Sequence, residues 1–223
     1  MNLQEKFERF KQSTNEDVKI IDIIRKNTKI ESNTKILEVG SNKGNISKSL
    51  QPKKQNITCI DINEIDFEPE INFIKNKWED VKIKEKFDIV IASHVWGHFH
   101  YSNTTSQALK KIILSKNKSG KIFLCFNTNE DFLSELIKLG KKLFKKFQFD
   151  YFDEKIIENL DKEEINFSVE LKTNTFQELT ELMQVLLIAE EEFEDKKEEI
   201  TKFLKEKLEK PKFKINQKLI ILK

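Results

Sequence analysis

Apolar positions along the chain change period several times, and each change marks an element. Over residues 15–29, Val18, Ile20, Ile21 and Ile24 recur at helical spacing behind Asn15, a capping residue type, and the acids Glu16 and Asp17. Residues 34–40 then read as a short buried strand ending in a glycine turn, and 45–50 as a helix that Pro52 closes. Residues 56–61, 71–74 and 87–92 read as further strands, 104–114 as a helix, and 121–126 as a fifth strand introduced by Ser119 and Gly120. Strands alternating with helices at this pitch predict βαβ units and a parallel sheet.

Beyond Phe126 the pattern changes. Residues 131–147 are amphipathic, with Lys138, Lys141, Lys142, Lys145 and Lys146 gathered near the end as a solvated face. Residues 165–172 alternate as a strand does. Residues 176–208 read as one long helix, apolar in its first half (Leu179, Leu182, Met183, Leu186) and highly charged in its second, which carries an acidic block over 190–199. Residues 213–222 return to a strand, expected to insert antiparallel beside the fifth strand and to pair with 165–172.

Composition narrows the function classes. Lysine and arginine number 40 against 38 acids, a formal net charge of +2, so the clustered basic excess of a dedicated nucleic-acid binder is missing. No apolar run approaches the roughly 20 residues that span a bilayer, and the start of the chain has no signal-peptide core. Two cysteines, Cys59 and Cys125, lie in apolar strand-like runs and can form neither a disulfide framework nor a metal cage by themselves. The expectation is a cytoplasmic protein without a membrane or nucleic-acid partner. Glycines number only 5, yet Gly40 and Gly44 share one turn, which is expected where the backbone must turn tightly or approach a ligand.

That turn is the chemical centre of the sequence. Residues 36–47 read Ile-Leu-Glu-Val-Gly-Ser-Asn-Lys-Gly-Asn-Ile-Ser, a strand, a turn and a helix start that expose backbone N–H groups. The spacing does not match the dinucleotide fingerprint, where a glycine would replace Asn42, and no Gly-Lys-Ser/Thr ends it as in a P-loop. The segment resembles the first motif of class I S-adenosylmethionine-dependent methyltransferases, acid-x-Gly-x-Gly-x-Gly, with Glu38 as the acid, Gly40 and Gly44 as the outer glycines and Asn42 at the central one. Asparagine tolerates a positive φ better than most residues, so the turn can survive the exchange.

The resemblance extends to the following strand ends and carries further implications. It implies that Asp61, with Ile62 beside it, accepts the ribose hydroxyls of S-adenosyl-L-methionine. It implies that Trp78 lies along the adenine or offers its backbone N–H, with Glu79 or Asp80 accepting from the exocyclic amine; Lys77 stands where that family has its usual acid. The fourth strand and its extension, residues 87–99, look like the corresponding motif of small-molecule methyltransferases, with Ser93 at the cofactor. His94 and His98, four apart, either line the junction of cofactor and substrate as catalytic groups or pack. A metal is not expected, since neither an intervening glutamate nor a third ligand is evident.

A thinner likeness, scattered over most of the chain, is to the histamine N-methyltransferase family. It is carried by Phe10-Lys-Gln-Ser-Thr14, by residues 131–144 and by residues 208–221. An acid directly after Ser-Thr helps bind the substrate imidazole in that family; Asn15 occupies the position here, which implies a small nucleophile other than histamine. The resemblance implies a Rossmann-like α/β fold, a seven-stranded mostly parallel sheet with an antiparallel last strand and helices on both faces. One domain is expected over 1–223, comprising a helical N-terminal cap (1–33), a cofactor core (34–127) and a substrate-side half (128–223) with a helical insertion (176–209). Phe7, Phe10, Asn15 and His98 are the expected acceptor contacts. The expected activity is methyl transfer to a small metabolite, at nitrogen. The rival readings are an RNA or protein methyltransferase and a non-catalytic subunit that keeps the fold.

Overall fold

A computed structural model describes residues 3–128, 130–145, 152–187 and 192–223. Lys146, Phe147 and Glu190, named above in two helical patterns, lie outside them. The strands are β1 (Ile36–Val39), β2 (Ile57–Asp61), β3 (Asn72–Lys75), β4 (Phe87–Ser93), β5 (Lys116–Asn127), β6 (Lys162–Lys172) and β7 (Lys212–Leu222). They form a seven-stranded sheet in the order β3-β2-β1-β4-β5-β7-β6. The pairs among β3, β2, β1, β4 and β5 are parallel, and the last strands are antiparallel, with β7 inserted between β5 and β6 as the alternation implied.

By its contacts the chain divides into two compact units. The larger comprises Val18–Phe126, Tyr151–Asn166 and Lys218–Lys223. Its helices are α2 (Glu16–Asn27, from Val18 on), α3 (Asn45–Leu50), α4 (Trp96–Tyr101) and α5 (Thr105–Ser115). β1 and β4 are buried along nearly their whole length, as strands covered on both faces must be, which is why they read as unbroken apolar runs. Ile20 and Ile24 are fully buried; Val18, placed on the same face by spacing, is 61 % exposed. α5 adds Ala108, Leu109 and Ile112 to a core in which Trp96 meets Phe99 and Phe152 edge-on. β5 begins five residues before its expected start and shifts register against β4 between Phe87 and Ile89. Gly120 makes this possible: a Cβ there would lie 2.7 Å from the carbonyl oxygen of Phe87 and 2.8 Å from that of Asp88.

The smaller unit comprises Met1–Asp17, Asn127–Asp150 and Phe167–Gln217. It contains α1 (Leu3–Gln12), α6 (Asp131–Leu143), α7 (Phe176–Leu187) and α8 (Phe193–Lys207). The single long helix expected over 176–208 is therefore two, and α8 starts afresh with Glu194 and Asp195 in its first turn, where acids favour a helix N-terminus. The apolar faces of α6, α7 and α8 bury Leu136, Leu179, Leu182, Met183, Ile200 and Leu204 together. α1 packs on α7, and buried Lys6 joins the helices: its ammonium lies 3.1 Å from Glu181 and 3.4 Å from Glu194. Arg9 adds a pair to Glu178 at 2.8 Å, and Thr14 bridges Leu171 on β6. Glu16 is 2 % exposed, accepting from Lys11 and Gln217. Burial works against the Lys11 ammonium, yet Glu16 and Asp17 together raise its pKa above the ordinary lysine value.

Among the described residues no helix is long and apolar enough to cross a membrane, and both cysteines are buried thiols outside any disulfide. The packing separates two substitutions that sequence alone would treat alike. Leu182→Ala, at a fully buried position, should lower unfolding free energy by about 2–5 kcal/mol in urea titration. Val18→Ala should change it by less than about 0.5 kcal/mol.

Candidate functional site

The candidate site is the region of the larger unit where the carboxyl ends of β1, β2 and β4 meet the turn after β1. Gly40, Asn42 and Gly44 take φ of +66°, +44° and +64°, so the left-handed region is visited at the three positions that the motif marks. The turn is fastened to β2: the Gly40 and Ser41 N–H groups both donate to the Ile60 carbonyl, at 2.8 and 3.0 Å. The Asn42 N–H donates to Asp61 Oδ2 at 2.8 Å. Gly44 is the N-cap of α3 and has no side chain to satisfy the helix's first donors. Buried Glu38 supplies what is missing, its Oε2 accepting from the Ser47 N–H at 3.0 Å, the place a capping side chain would take.

Neither glycine can be exchanged freely. A Cβ on Gly40 would lie 2.1 Å from Val95 Cγ1, and one on Gly44 would lie 2.9 Å from the Cys59 sulfur and 3.0 Å from the Phe67 ring. Burial, followed by the nearby Glu38 charge, pushes the Cys59 thiol up to about 12, so it stays neutral and packs as an apolar group.

Asp61 is half-buried at the end of β2, and Ile62 beside it leaves 57 % of its surface exposed. Asn63, which the motif comparison overlooks, holds Asp61 Oδ1 with its backbone N–H at 2.9 Å and its side-chain amide at 3.1 Å. Its only sequence signal is an asparagine two residues after the acid, a spacing that favours such local bonds. Ser41 is buried, and the Ser93 hydroxyl oxygen is buried without a hydrogen-bond partner.

Other expected positions come out differently. The Trp78 indole is 3 % exposed: its Nε1 donates to the Ala108 carbonyl at 3.1 Å and the Lys111 ammonium sits 4.5 Å from the ring centroid. It is core, so only its backbone remains for a ligand. Glu79 accepts from the Thr104 hydroxyl at 2.9 Å. Lys111 donates to the carbonyls of Trp78 and Glu79, and burial lowers its pKa. His94 and His98 do not share a helix face. His94 precedes α4 with φ +55°, a conformation that needs surrounding support in a non-glycine residue. Its N–H bonds the Cys125 carbonyl at 3.0 Å and its Nε2 lies 3.8 Å from the Cys125 sulfur, while His98 is exposed on α4.

Phe7, Phe10 and Asn15 belong to the smaller unit. Phe10 is 6 % exposed and packed in its core, Phe7 is half-buried, and Asn15 is exposed with its Oδ1 accepting from the Glu170 N–H at 3.4 Å. No group of three or more His, Cys, Asp or Glu side chains placed to hold a metal occurs among the described residues.

The turn predicts an asymmetry between its members. Gly40→Ala combines a positive φ with a clash and should cost at least about 1–2 kcal/mol of stability together with ligand binding at the turn. Asn42→Gly should retain both, since glycine enters the same conformation at less cost. Thermal denaturation beside calorimetric titration with S-adenosylhomocysteine checks the pair.

Comparison with known proteins bears on the family and the fold. A family model described as a methyltransferase domain matches residues 12–167. A malonyl-[acyl-carrier protein] O-methyltransferase from Calditerrivibrio nitroreducens is 27 % identical over 126 residues, 54 % of this chain and 49 % of that protein. The match thus spans about half the length of that curated relative. Among solved structures, a Bacillus halodurans protein assigned to the methyltransferases superposes with TM-score 0.62 at 14 % identity, covering 91 % of this chain and 97 % of its own. The N-methyltransferase NodS from Bradyrhizobium japonicum, in complex with S-adenosylhomocysteine, superposes with TM-score 0.53 at 10 % identity, covering 93 % and 85 %. With a family model spanning well over half of it and a matching sheet, the chain belongs to the methyltransferase domain family and has the class I S-adenosylmethionine-dependent fold.

Proposed function

We propose that this chain transfers a methyl group from S-adenosylmethionine to a nitrogen of a small metabolite in the cytoplasm, and that the turn of Glu38, Gly40, Ser41, Asn42 and Gly44 with Asp61 and Ile62 holds the cofactor. The observation that carries the reading is Asp61: a half-buried carboxylate at a strand end, one of its oxygens fixing the turn's backbone, beside an aliphatic side chain left open to solvent. These residues fit a nucleoside with an aminoacyl arm. The turn admits a ligand against its main chain, Asp61 accepts from a hydroxyl, Ile62 offers an apolar face to a base, and the unpartnered Ser93 hydroxyl is available to the arm. Glu79 and the Trp78 backbone are assigned to the base edge.

When bound, the cofactor supplies a methyl on a sulfonium, open to in-line attack by a lone pair about 3–3.5 Å away. The protein's part is then to orient the acceptor, exclude water and take a proton from an amine that must arrive neutral. His98, whose imidazole is exposed, is assigned to that proton, and His94 to the reacting end of β4. Phe7 and Asn15 are assigned to the acceptor, with the Phe10 ring as packing beneath the same segment.

A small acceptor is supported by the near-neutral charge and by Ser93-His-Val-Trp96 at the end of β4, where enzymes that methylate exocyclic amines of bases carry Asp/Asn-Pro-Pro-aromatic. Nitrogen is supported by the likeness of the N-terminal segment to histamine N-methyltransferases, with Asn15 in place of the acid setting histamine aside. The O-methyltransferase relative makes a carboxyl or hydroxyl acceptor the competing reading.

Asp61→Ala leaves the ribose without its charged acceptor, and since such bonds contribute about 1.5–3 kcal/mol, affinity for S-adenosylhomocysteine should fall roughly tenfold or more. Unchanged affinity in a folded variant removes Asp61 from the site. For the acceptor, incubation of labelled cofactor with amines, imidazoles, phenols and carboxylic acids, beside bulk tRNA and protein extract, should put label into an amine. Label only in RNA or protein overturns the small-molecule reading, and cofactor binding with no transfer to any acceptor favours a binding subunit.

A further inference from the structure

The hydrogen bonds at Asp61 leave a ribose one acceptor short. A carboxylate offers about four acceptor positions, two on each oxygen. Oδ1 uses two, for the backbone N–H and side-chain amide of Asn63 at 2.9 and 3.1 Å, and Oδ2 uses one, for the Asn42 N–H at 2.8 Å. One position remains, on Oδ2, whereas the vicinal diol of a ribose presents two hydroxyl donors. The second hydroxyl therefore needs an acceptor that is not Asp61.

Asn63 is the neighbour whose chemistry supplies it. The orientation of its amide is set by its partner: a carboxylate can only accept, so Asn63 must turn its NH2 toward Asp61, which leaves its carbonyl oxygen on the other branch of the amide. Asn63 is exposed, and among the described residues its Oδ1 accepts no hydrogen bond. We propose that the cofactor's diol is read by two residues, one hydroxyl by Asp61 Oδ2 and the other by Asn63 Oδ1. Asn63 thereby acts twice, fixing the Asp61 carboxylate through its amide NH2 and binding through its carbonyl. The proposal rests on the placement of the cofactor at Asp61 argued above.

Calorimetric titration of S-adenosylhomocysteine and of its 2′-deoxy and 3′-deoxy analogues separates the two claims. The native chain should lose affinity when either hydroxyl is removed. Alanine at 63 would also vacate one position on Asp61 Oδ1, so the variant used is Asn63→Lys, at an exposed position, whose ammonium can donate to Asp61 but accepts nothing. It should keep the melting temperature, bind S-adenosylhomocysteine roughly three- to tenfold more weakly, and become indifferent to removal of one particular hydroxyl while still sensing the other. Asp61→Ala should show the complementary indifference. An Asn63→Lys variant that still senses both hydroxyls overturns the proposal with the cofactor placement intact. A native chain that senses neither hydroxyl also overturns it. An Asp61→Ala variant with native affinity for all three ligands overturns the placement itself.

Discussion

Two carboxylates at the ends of neighbouring parallel strands hold open a turn that backbone bonds to the Ile60 carbonyl fasten at its start. Asp61 on β2 accepts from the Asn42 N–H, and Glu38 on β1 accepts from the Ser47 N–H at the start of α3. From Glu38 to Ser47 the chain visits the left-handed region at three residues, of which only Asn42 carries a side chain. A left-handed residue with a Cβ costs about 1–2 kcal/mol, less for asparagine, whereas a hydrogen bond to a charged group is worth about 1.5–3 kcal/mol. The two carboxylates therefore outweigh the strain. β1 and β2 pair in register from Ile36–Ile57 to Val39–Ile60, so the sheet delivers both carboxylates to the turn, and the parallel topology is a precondition of the site.

The smaller unit is organised by different forces. α1, α7 and α8 are joined around Lys6 by Glu181, Glu194 and Gln184, and Lys197 lies 2.6 Å from Glu181. A lysine that is 4 % exposed keeps its charge at reasonable cost only with such partners. The apolar faces beneath supply most of the adhesion, and the ion pairs select which faces meet. Glu181, Glu194 and Gln184 share the Lys6 ammonium, so losing one carboxylate leaves the charge still partnered, and these contacts specify the arrangement more than they stabilise it.

Much of the fold was legible because burial on both faces leaves a simple trace. β1, β2 and β4 are short apolar runs between turn signals, and the alternation with helices points to a parallel sheet whichever way each boundary falls. The left-handed turn was legible too, since glycine scarcity and an asparagine at the middle position leave few other uses for that spacing. What was not legible depended on partners distant in sequence. Trp78 looks like a ligand platform until Ala108 and Lys111 of α5 are seen to claim its ring. Val18 shares a helical stripe with Ile21 yet faces solvent, because the packed face of α2 is narrower than the apolar one. His94 and His98 obey helical spacing, but α4 begins only at Trp96. Asn63 escaped notice because its part is to occupy Asp61, a relation that no motif records.

The central claim is that one turn, fixed by Glu38 and Asp61, receives the cofactor. A crystal structure of the chain with S-adenosylhomocysteine tests it most directly. The account predicts the ribose at Asp61, the base over Ile62 and the aminoacyl arm along the backbone of Gly40–Gly44, with those residues unmoved. A ligand seated elsewhere, or a turn that must refold to admit it, would contradict the account.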